Sequence, residues 1–207
     1  MKKLLVEFVG TFFLMLTIGS TVLAPNDAGA MAPVAIGAIL MAMVFAGGHV
    51  SGAHYNPAVT LAVFLRGKCG ARDIPGYIVA QCLGAGLAAL TVAFIKGNPA
   101  VTPVVVDPTF AFVGEFLYTF ALCTVVLNVA TCKGTSGNSF YGLAIGFTVM
   151  AGAYAMGPVS GAAFNPAVVL GVTVLGIFSA ANAWIYLAAN FAAAAAAAAL
   201  FKVMDLD

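Results

Sequence analysis

The sequence predicts an all-α membrane protein in which six transmembrane helices and two re-entrant half-helices form an inverted repeat. Three observations lead to this fold class. Of the 207 residues, 63% are hydrophobic and only 7% are charged, against about a quarter charged in an ordinary soluble domain. Six apolar stretches are candidates for crossing a bilayer. One motif of fourteen residues occurs twice.

The composition also limits the class of function. The formal net charge is +1, which gives no reason to expect a nucleic-acid partner. Four cysteines have neither metal-site spacing nor the pattern of a disulfide framework, and we interpret them as packing residues: Cys69, Cys82, Cys123 and Cys132. The expected surroundings are a lipid bilayer.

The first apolar stretch covers residues 4–23 and follows Met1, Lys2 and Lys3. A signal peptide also begins with basic residues before an apolar run, but this run is longer than the usual signal core. We therefore interpret it as the first transmembrane helix. It contains Glu7, which has a counterpart at Glu115 in a later stretch.

Five further stretches are predicted to cross the membrane. A helix needs about 20 mainly apolar residues to do so, and the candidates are residues 33–47, 75–95, 109–131, 140–156 and 182–203. Clusters of Pro, Gly, Asn and Asp separate them, which favours turns. The sequence thus predicts six spans.

The basic residues indicate how these spans are oriented. If the N-terminus is cytoplasmic, seven of the eight Lys and Arg residues fall on the cytoplasmic side and only Lys96 falls outside. Cytoplasmic loops carry such an excess of positive charge. We expect a multi-pass protein of the cell membrane with both termini in the cytoplasm.

The repeated motif indicates an internal duplication. GHVSGAHYNPAVTL at 48–61 and GPVSGAAFNPAVVL at 157–170 agree at ten of fourteen positions, at an offset of 109. Tyr77 returns as Tyr186, and Gln81 as the amide Asn190. We divide the single domain of residues 1–207 into a first repeat, 1–98, and a second, 109–207. Because each repeat holds three spans, the second is inserted upside down.

Each motif predicts a helix that reaches only halfway across the membrane. Residues 57–65 would rise about 13 Å, against a hydrocarbon core of about 30 Å. Asparagine is a favoured N-cap, and proline is favoured at the first helical position. The motif residues are Asn56, Pro57, Ala58, Asn165, Pro166 and Ala167.

Two half-helices that enter from opposite faces would meet by their N-termini near the middle of the membrane. Each N-terminus carries about half a positive charge, so the meeting point repels cations. The side chains of Asn56 and Asn165 would cap the helices through oxygen and still offer N–H donors. These features favour the passage of a neutral solute that carries an oxygen.

These residues resemble the aquaporin and aquaglyceroporin family, also called major intrinsic proteins. The resemblance covers nearly the whole chain: Glu7 in its span, both Asn-Pro-Ala motifs, Gln81 and Glu115. It implies an aquaporin-like bundle, assembled as a homotetramer with a pore in each subunit. The implied function is a passive channel for water and small uncharged solutes. Such a protein is not an enzyme and needs no cofactor or metal.

The family's outer filter is altered in this chain. In most members the second Asn-Pro-Ala is followed by arginine, but here Val168 follows it. By the same resemblance the other filter positions are Ile36, Ala153 and Ala162. All four side chains are apolar, which predicts an unusually wide filter without side-chain donors. Glycerol, urea, ammonia and hydrogen peroxide are all candidate solutes, and the sequence does not choose among them.

Four polar residues are expected to support the re-entrant loops. In the family, the carboxylates that match Glu7 and Glu115 accept hydrogen bonds from these loops, although an ionisable residue within a span also suits a proton relay. The matching histidines, His49 and His54, brace the first loop. Two histidines without carboxylate or cysteine neighbours make a poor metal site.

Two other classes of protein remain open. Secondary transporters also use inverted repeats and broken helices, but they place ion-binding polar residues at the midplane, where this chain has few beyond the paired asparagines. A structural or poorly conducting membrane protein could retain the same fold with a closed pore.

Overall fold

Eight α-helices form the bundle within residues 1–204, the part of the chain that the computed structural model describes. The six long ones are α1 (Lys2–Val22), α2 (Ala32–Ser51), α4 (Ile74–Ile95), α5 (Pro108–Thr131), α6 (Tyr141–Ser160) and α8 (Ala183–Met204). The two short ones are α3 (Pro57–Leu65) and α7 (Pro166–Val174). Single 3₁₀ turns occupy Gly29–Met31, Lys133–Thr135 and Ala180–Asn182.

The long helices are the predicted spans. Over the described residues, six helices are long and apolar enough to cross a membrane. The two short helices contain nine residues each, which is about half the number that a span requires. The predicted fold class, six spans and two half-helices, is confirmed.

The predicted boundaries differ most at the ends of α2 and α6. The sequence places these ends at residues 47 and 156, but both helices continue by one more turn, to Ser51 and Ser160. Tertiary packing overrides the low helix propensity of the glycines there and of Pro158. The helices end where Gly52 and Gly161 take left-handed φ angles of 88° and 84°, which glycine adopts without steric cost.

Each helix contact of the first half has a counterpart in the second. Helix α1 packs on α4 and α2, as α5 packs on α8 and α6. Each short helix packs against a long helix of the other half, α3 against α8 and α7 against α4. These contacts between the halves hold them together as one bundle around the short helices.

The halves also meet directly where α2 crosses α6. A Cβ atom on Gly37 would lie 2.8 Å from the carbonyl oxygen of Gly146, and one on Gly146 would lie 2.5 Å from the carbonyl oxygen of Gly37. Both distances are shorter than a side chain tolerates. Glycine at both positions is therefore required for this close crossing.

Polar contacts identify the two ends of the bundle. At one end, which we call the N-terminal face, Lys3 forms a salt bridge of 3.3 Å with Asp73 before α4. At the opposite face, Nζ of Lys96 donates to the carbonyl oxygen of Pro25 at 2.6 Å. These contacts join connections from different parts of the chain, as expected for helices that cross alternately.

Candidate functional site

The two short helices begin with the same cap. Oδ1 of Asn56 accepts hydrogen bonds from the backbone N–H groups of Ala58 at 2.8 Å and Val59 at 3.4 Å. Oδ1 of Asn165 accepts from Ala167 at 2.9 Å and Val168 at 3.4 Å. Each proline occupies the first helical position, where its missing N–H costs nothing. The motif thus specifies where both helices start.

The asparagine amides also join the two motifs to each other. Nδ2 of Asn56 donates to the carbonyl oxygen of Phe164 at 2.9 Å, and Nδ2 of Asn165 donates to that of Tyr55 at 2.9 Å. The N-termini of α3 and α7 therefore lie together. Since a primary amide has two N–H donors, each asparagine keeps one donor beyond this bond.

The Glu7 carboxylate is fully buried and holds the first loop. Oε1 accepts from the Ser51 hydroxyl at 2.6 Å and the His54 backbone N–H at 2.9 Å. Oε2 accepts from the Tyr55 N–H at 2.7 Å and from Nε2 of Gln81 at 2.8 Å. Four donors satisfy the two carboxylate oxygens, as a buried polar group requires.

The Glu115 carboxylate repeats this arrangement in the second loop. Oε1 accepts from the Ser160 hydroxyl at 2.8 Å and the Ala163 N–H at 2.9 Å. Oε2 accepts from the Phe164 N–H at 2.7 Å and from Nδ2 of Asn190 at 3.1 Å. Both halves use the same set of four donors: a serine hydroxyl, two backbone N–H groups and a side-chain amide.

Both loops have strained backbone that these bonds hold in place. Ala53 and Tyr55 have φ angles of 51° and 50°, and Ala162 and Phe164 have angles of 54° and 49°. Non-glycine residues rarely adopt the left-handed region, which costs of order 1 kcal/mol each. The carboxylates bind the N–H groups of Tyr55 and Phe164, and so they stabilise the conformation that the loops require.

Two serine–tyrosine pairs complete this support, and the sequence reasoning did not assign them a role. The hydroxyl of Tyr77 donates to the carbonyl oxygen of Ser51 at 2.7 Å, and that of Tyr186 to Ser160 at 2.7 Å. The second pair repeats the first at the offset of 109. That recurrence was the available signal, but the contact becomes apparent only when the helices are packed.

The two halves differ at His54. Its Nδ1 lies 3.1 Å from the Thr60 hydroxyl, which also accepts from Nε2 of Gln81 at 3.1 Å. The Thr60 hydroxyl donates to the carbonyl oxygen of Asn56 at 3.0 Å, which leaves Nδ1 of His54 as the donor in their shared bond. The second repeat has Ala163 and Val169 at the matching positions, without this polar cluster.

A cavity of about 270 Å³ runs past both asparagine caps. We call it the long cavity. It reaches the opposite face beside Val22 and Val104 and extends inward to His54 and Val126. All four positions expected to form a filter line it: Ile36, Ala153, Ala162 and Val168. Ile36 and Val168 are buried in the bundle, whereas Ala153 and Ala162 are half-buried.

Most of the cavity wall is aliphatic. Helices α1, α2, α5 and α6 contribute Leu14, Ile18, Leu40, Leu122, Val126, Ile145 and Val149. Polar groups come from the two asparagines, from His54 and from the loop backbone. The residues Gly161, Ala162 and Ala163 line the cavity, and their carbonyl oxygens accept no hydrogen bond from the described residues. The wall therefore offers a few donors and acceptors along an otherwise apolar passage.

A second cavity of about 420 Å³, which we call the vestibule, lies toward the N-terminal face. Lys3 and Lys68 line it together with Ser51, Gly52 and Thr131. Among residues 1–204, its lining includes no acidic side chain. The vestibule is therefore a basic approach to the buried motifs.

The structure does not bring His49 to this site. His49 is exposed in the last turn of α2, and it lines neither cavity. Within residues 1–204, no group of three or more His, Cys, Asp or Glu side chains could hold a metal ion. Of the four polar residues expected to support the loops, Glu7, Glu115 and His54 contact them.

The chain is similar to known proteins over nearly its whole length. Residues 1–201 match the family model described as Major intrinsic protein. The chain is 38% identical over 215 aligned residues to Aquaporin NIP1-4 of Oryza sativa subsp. japonica, covering 100% of this chain and 78% of that protein. It is 36% identical to Nodulin-26 of Glycine max, covering 99% and 78% of the two proteins.

The fold has a close counterpart among solved structures. The X-ray structure of the aquaglyceroporin from Plasmodium falciparum aligns with a TM-score of 0.82 and 22% sequence identity, covering 100% of this chain and 99% of that one. The likeness supports the six-span bundle with two short helices.

Proposed function

Because the chain belongs to the major intrinsic protein family, we propose that it forms a passive channel for water and small uncharged solutes through a pore in each subunit. The long cavity carries this proposal, because it joins the two asparagine caps to the four apolar filter positions. Members of the family are channels, so the expectation that the chain is not an enzyme is confirmed by its membership.

The proposed filter consists of Ile36, Ala153, Ala162 and Val168. These side chains offer neither charge nor hydrogen bonds, and the two alanines leave more room than larger residues would. Glycerol, urea, ammonia and hydrogen peroxide are therefore proposed solutes alongside water. The backbone carbonyls of the second loop and the free amide hydrogens of Asn56 and Asn165 supply the polar contacts.

Cation exclusion is assigned to the paired half-helices. Two N-termini, each with about half a positive charge, face a solute at the point where Asn56 and Asn165 each bind the opposite loop. A cation would lose its hydration there and meet repulsion rather than ligands. A neutral solute avoids both costs.

The assembly and location follow from the family resemblance and the charge distribution. We propose a homotetramer in the cell membrane, with the N-terminal face toward the cytoplasm. We further propose that the chain forms one channel domain, with residues 1–98 and 109–207 as its repeats. The basic side chains of Lys3 and Lys68 at this face agree with the excess of positive charge in cytoplasmic loops.

Stopped-flow light scattering on proteoliposomes tests the function. Water, glycerol, urea and ammonia fluxes should rise above those of empty liposomes, without saturation and with a low activation energy. A secondary transporter would instead show saturation and dependence on an ion gradient. If no solute moves faster than through empty liposomes, the protein is a structural or poorly conducting member of the family, since an apolar constriction can exclude water.

A further inference from the structure

We infer that solute size is selected where the long cavity meets the vestibule, at His54 and Val126, rather than at the four outer filter positions. This inference rests on the proposed channel function. It identifies two residues that would control which neutral solutes pass, at a place distinct from Ile36, Ala153, Ala162 and Val168.

The course of the cavities locates the narrowing. The long cavity continues from the opposite face, past all four filter positions, to the asparagine caps. All four filter positions lie within this one cavity. The passage divides into two cavities only further in, and His54 and Val126 are the two described residues that line both of them.

His54 is held firmly enough to act as a fixed wall. Nδ1 of His54 is bonded to the Thr60 hydroxyl at 3.1 Å, and its ring packs edge-on to Tyr77, with 5.1 Å between the ring centroids. Its backbone N–H donates a hydrogen bond to Oε1 of Glu7. The imidazole is held at two points and its backbone at a third, so it cannot swing aside as a free rotamer would and the solute must fit past it.

The pseudo-symmetry of the chain provides an internal comparison. The counterpart of His54 is Ala163, at the offset of 109, and that of Val126 is Ile18, at the offset of 108 that also relates Glu7 to Glu115. Ile18 and Ala163 both line the long cavity, which stays continuous there. The two positions therefore differ by an imidazole in place of a methyl group, and the inferred narrowing lies at the imidazole.

The vestibule beyond this narrowing favours the same class of solute. Among the described residues, the lysines that line it are Lys3, which forms a salt bridge with Asp73, and Lys68, so this lining offers a cation no carboxylate ligand before it reaches His54. The selected solutes are then small neutral molecules, sorted by width at His54 and Val126.

Four variants in proteoliposomes test the inference, with water, urea, glycerol and erythritol as solutes and flux normalised to folded protein. Val126→Phe should lower the ratio of glycerol to water flux about tenfold, because it fills a narrow part of the passage. Ile18→Phe adds a comparable bulk at the matching position and should change the ratio much less. His54→Ala and Val126→Ala should both raise the ratio and admit erythritol.

The alanine variants test the narrowing independently of the phenylalanine variants. Val126→Ala removes no hydrogen bond, so it reports on the narrowing even if His54→Ala fails to fold. The inference is overturned if Ile18→Phe and Val126→Phe lower the ratio equally, or if neither alanine variant raises it. If wild type is impermeable and an alanine variant conducts, the proposed open channel is wrong but the narrowing is where we place it. If no variant conducts, both ideas fail.

Discussion

Nδ2 of Asn165 donates a hydrogen bond of 2.9 Å to the backbone carbonyl oxygen of Tyr55, a residue of the other repeat. Asn56 makes the reciprocal bond to Phe164. Each asparagine thus caps its own helix through oxygen and binds the opposite loop through nitrogen. The half-helices are coupled through this pair of bonds.

We predict that Asn165→Ala lowers both stability and solute flux. The substitution removes an N-cap worth about 1 kcal/mol and leaves the Tyr55 carbonyl oxygen without its donor. The midpoint of thermal unfolding in detergent should fall, and glycerol flux per folded protein should fall with it. Unchanged flux in a well-folded Asn165→Ala protein would count against a pore at the paired motifs.

Asn165→Asp separates the two roles of this side chain. A carboxylate still caps the N-terminus of α7, where a negative charge is favourable, but it cannot donate to Tyr55. Because a carboxylate oxygen would then face the carbonyl oxygen of Tyr55, we expect a loss of stability at least as large as in Asn165→Ala. Because the added charge offsets the positive ends of the half-helices, cation leak should increase, which a pH-sensitive dye in the liposome lumen would record.

Glu115→Gln is predicted to destabilise the second loop. All four groups bonded to the carboxylate are donors in this arrangement, and the amide of glutamine would direct N–H toward at least one backbone N–H. An unsatisfied buried group costs about 1–3 kcal/mol. The unfolding midpoint should fall, as should the yield of folded protein.

Proton flux distinguishes this supporting role from a proton relay. A relay through Glu115 would dissipate a pH gradient in wild-type liposomes and lose that activity in Glu115→Gln. We expect slow dissipation in wild type and no decrease in the variant. Fast dissipation that the substitution abolishes would overturn the supporting role.

The sequence predicted the helices better than the contacts between them. The half-helix predicted at 57–65 is observed as Pro57–Leu65, because Asn56 and Pro57 specify its start by local chemistry alone. The bond from Tyr77 to Ser51 joins residues far apart in the chain, and no local pattern predicts it. Val126 is one valine among many in α5, and only its position relative to His54 distinguishes it.

Gly10→Ala should destabilise the first loop. A Cβ atom on Gly10 would overlap the ring of Tyr55, which fills the space between α1 and α2. The Tyr55 hydroxyl also donates to the carbonyl oxygen of Met43 at 2.9 Å, so the ring cannot shift freely. Overpacking of this kind costs about 1–3 kcal/mol, which thermal unfolding would measure.

Gly86→Ala is the matched control for Gly10→Ala. Gly86 also lies within a long helix, α4, but a Cβ atom there would meet nothing within 4 Å. Alanine is favoured over glycine in a helix by about 1 kcal/mol, so this variant should be as stable as wild type or more stable. A loss of stability as large as that of Gly10→Ala would show that the packing around Tyr55 is not the cause.

Cys69 provides a test of the orientation. It lies beside Lys68 in the connection between α3 and α4, at the N-terminal face. In a variant that keeps only this cysteine, a membrane-impermeant maleimide should react from the cytoplasmic side alone. Pro103→Cys, in a background without the native cysteines, should react only from outside. The opposite pattern of labelling would reverse the proposed orientation.

The rate of maleimide labelling at Cys69 should rise with pH over a range that lies above that of an ordinary thiol. Partial burial, followed by the nearby Asp73 carboxylate, raises the pKa of the Cys69 thiol above its ordinary value. Since the thiolate is the reactive form, the labelling rate at neutral pH should be lower than that of a free thiol and should rise at higher pH. Asp73→Asn removes one cause of the shift and should move the profile toward lower pH.

Val168→Arg is predicted to narrow the channel and strengthen cation exclusion. Val168 lies in the first turn of α7 and lines the long cavity with Ile36, Ala153 and Ala162. A guanidinium there adds a fixed positive charge and several donors, so glycerol flux should fall more than water flux. Val168→Met, which adds length without charge, should affect cation leak less. Paired fluxes, normalised to folded protein, provide the measurement. If the ratio of glycerol to water does not change in Val168→Arg, the side chain at 168 does not control the passage, and the account of a wide apolar filter is wrong.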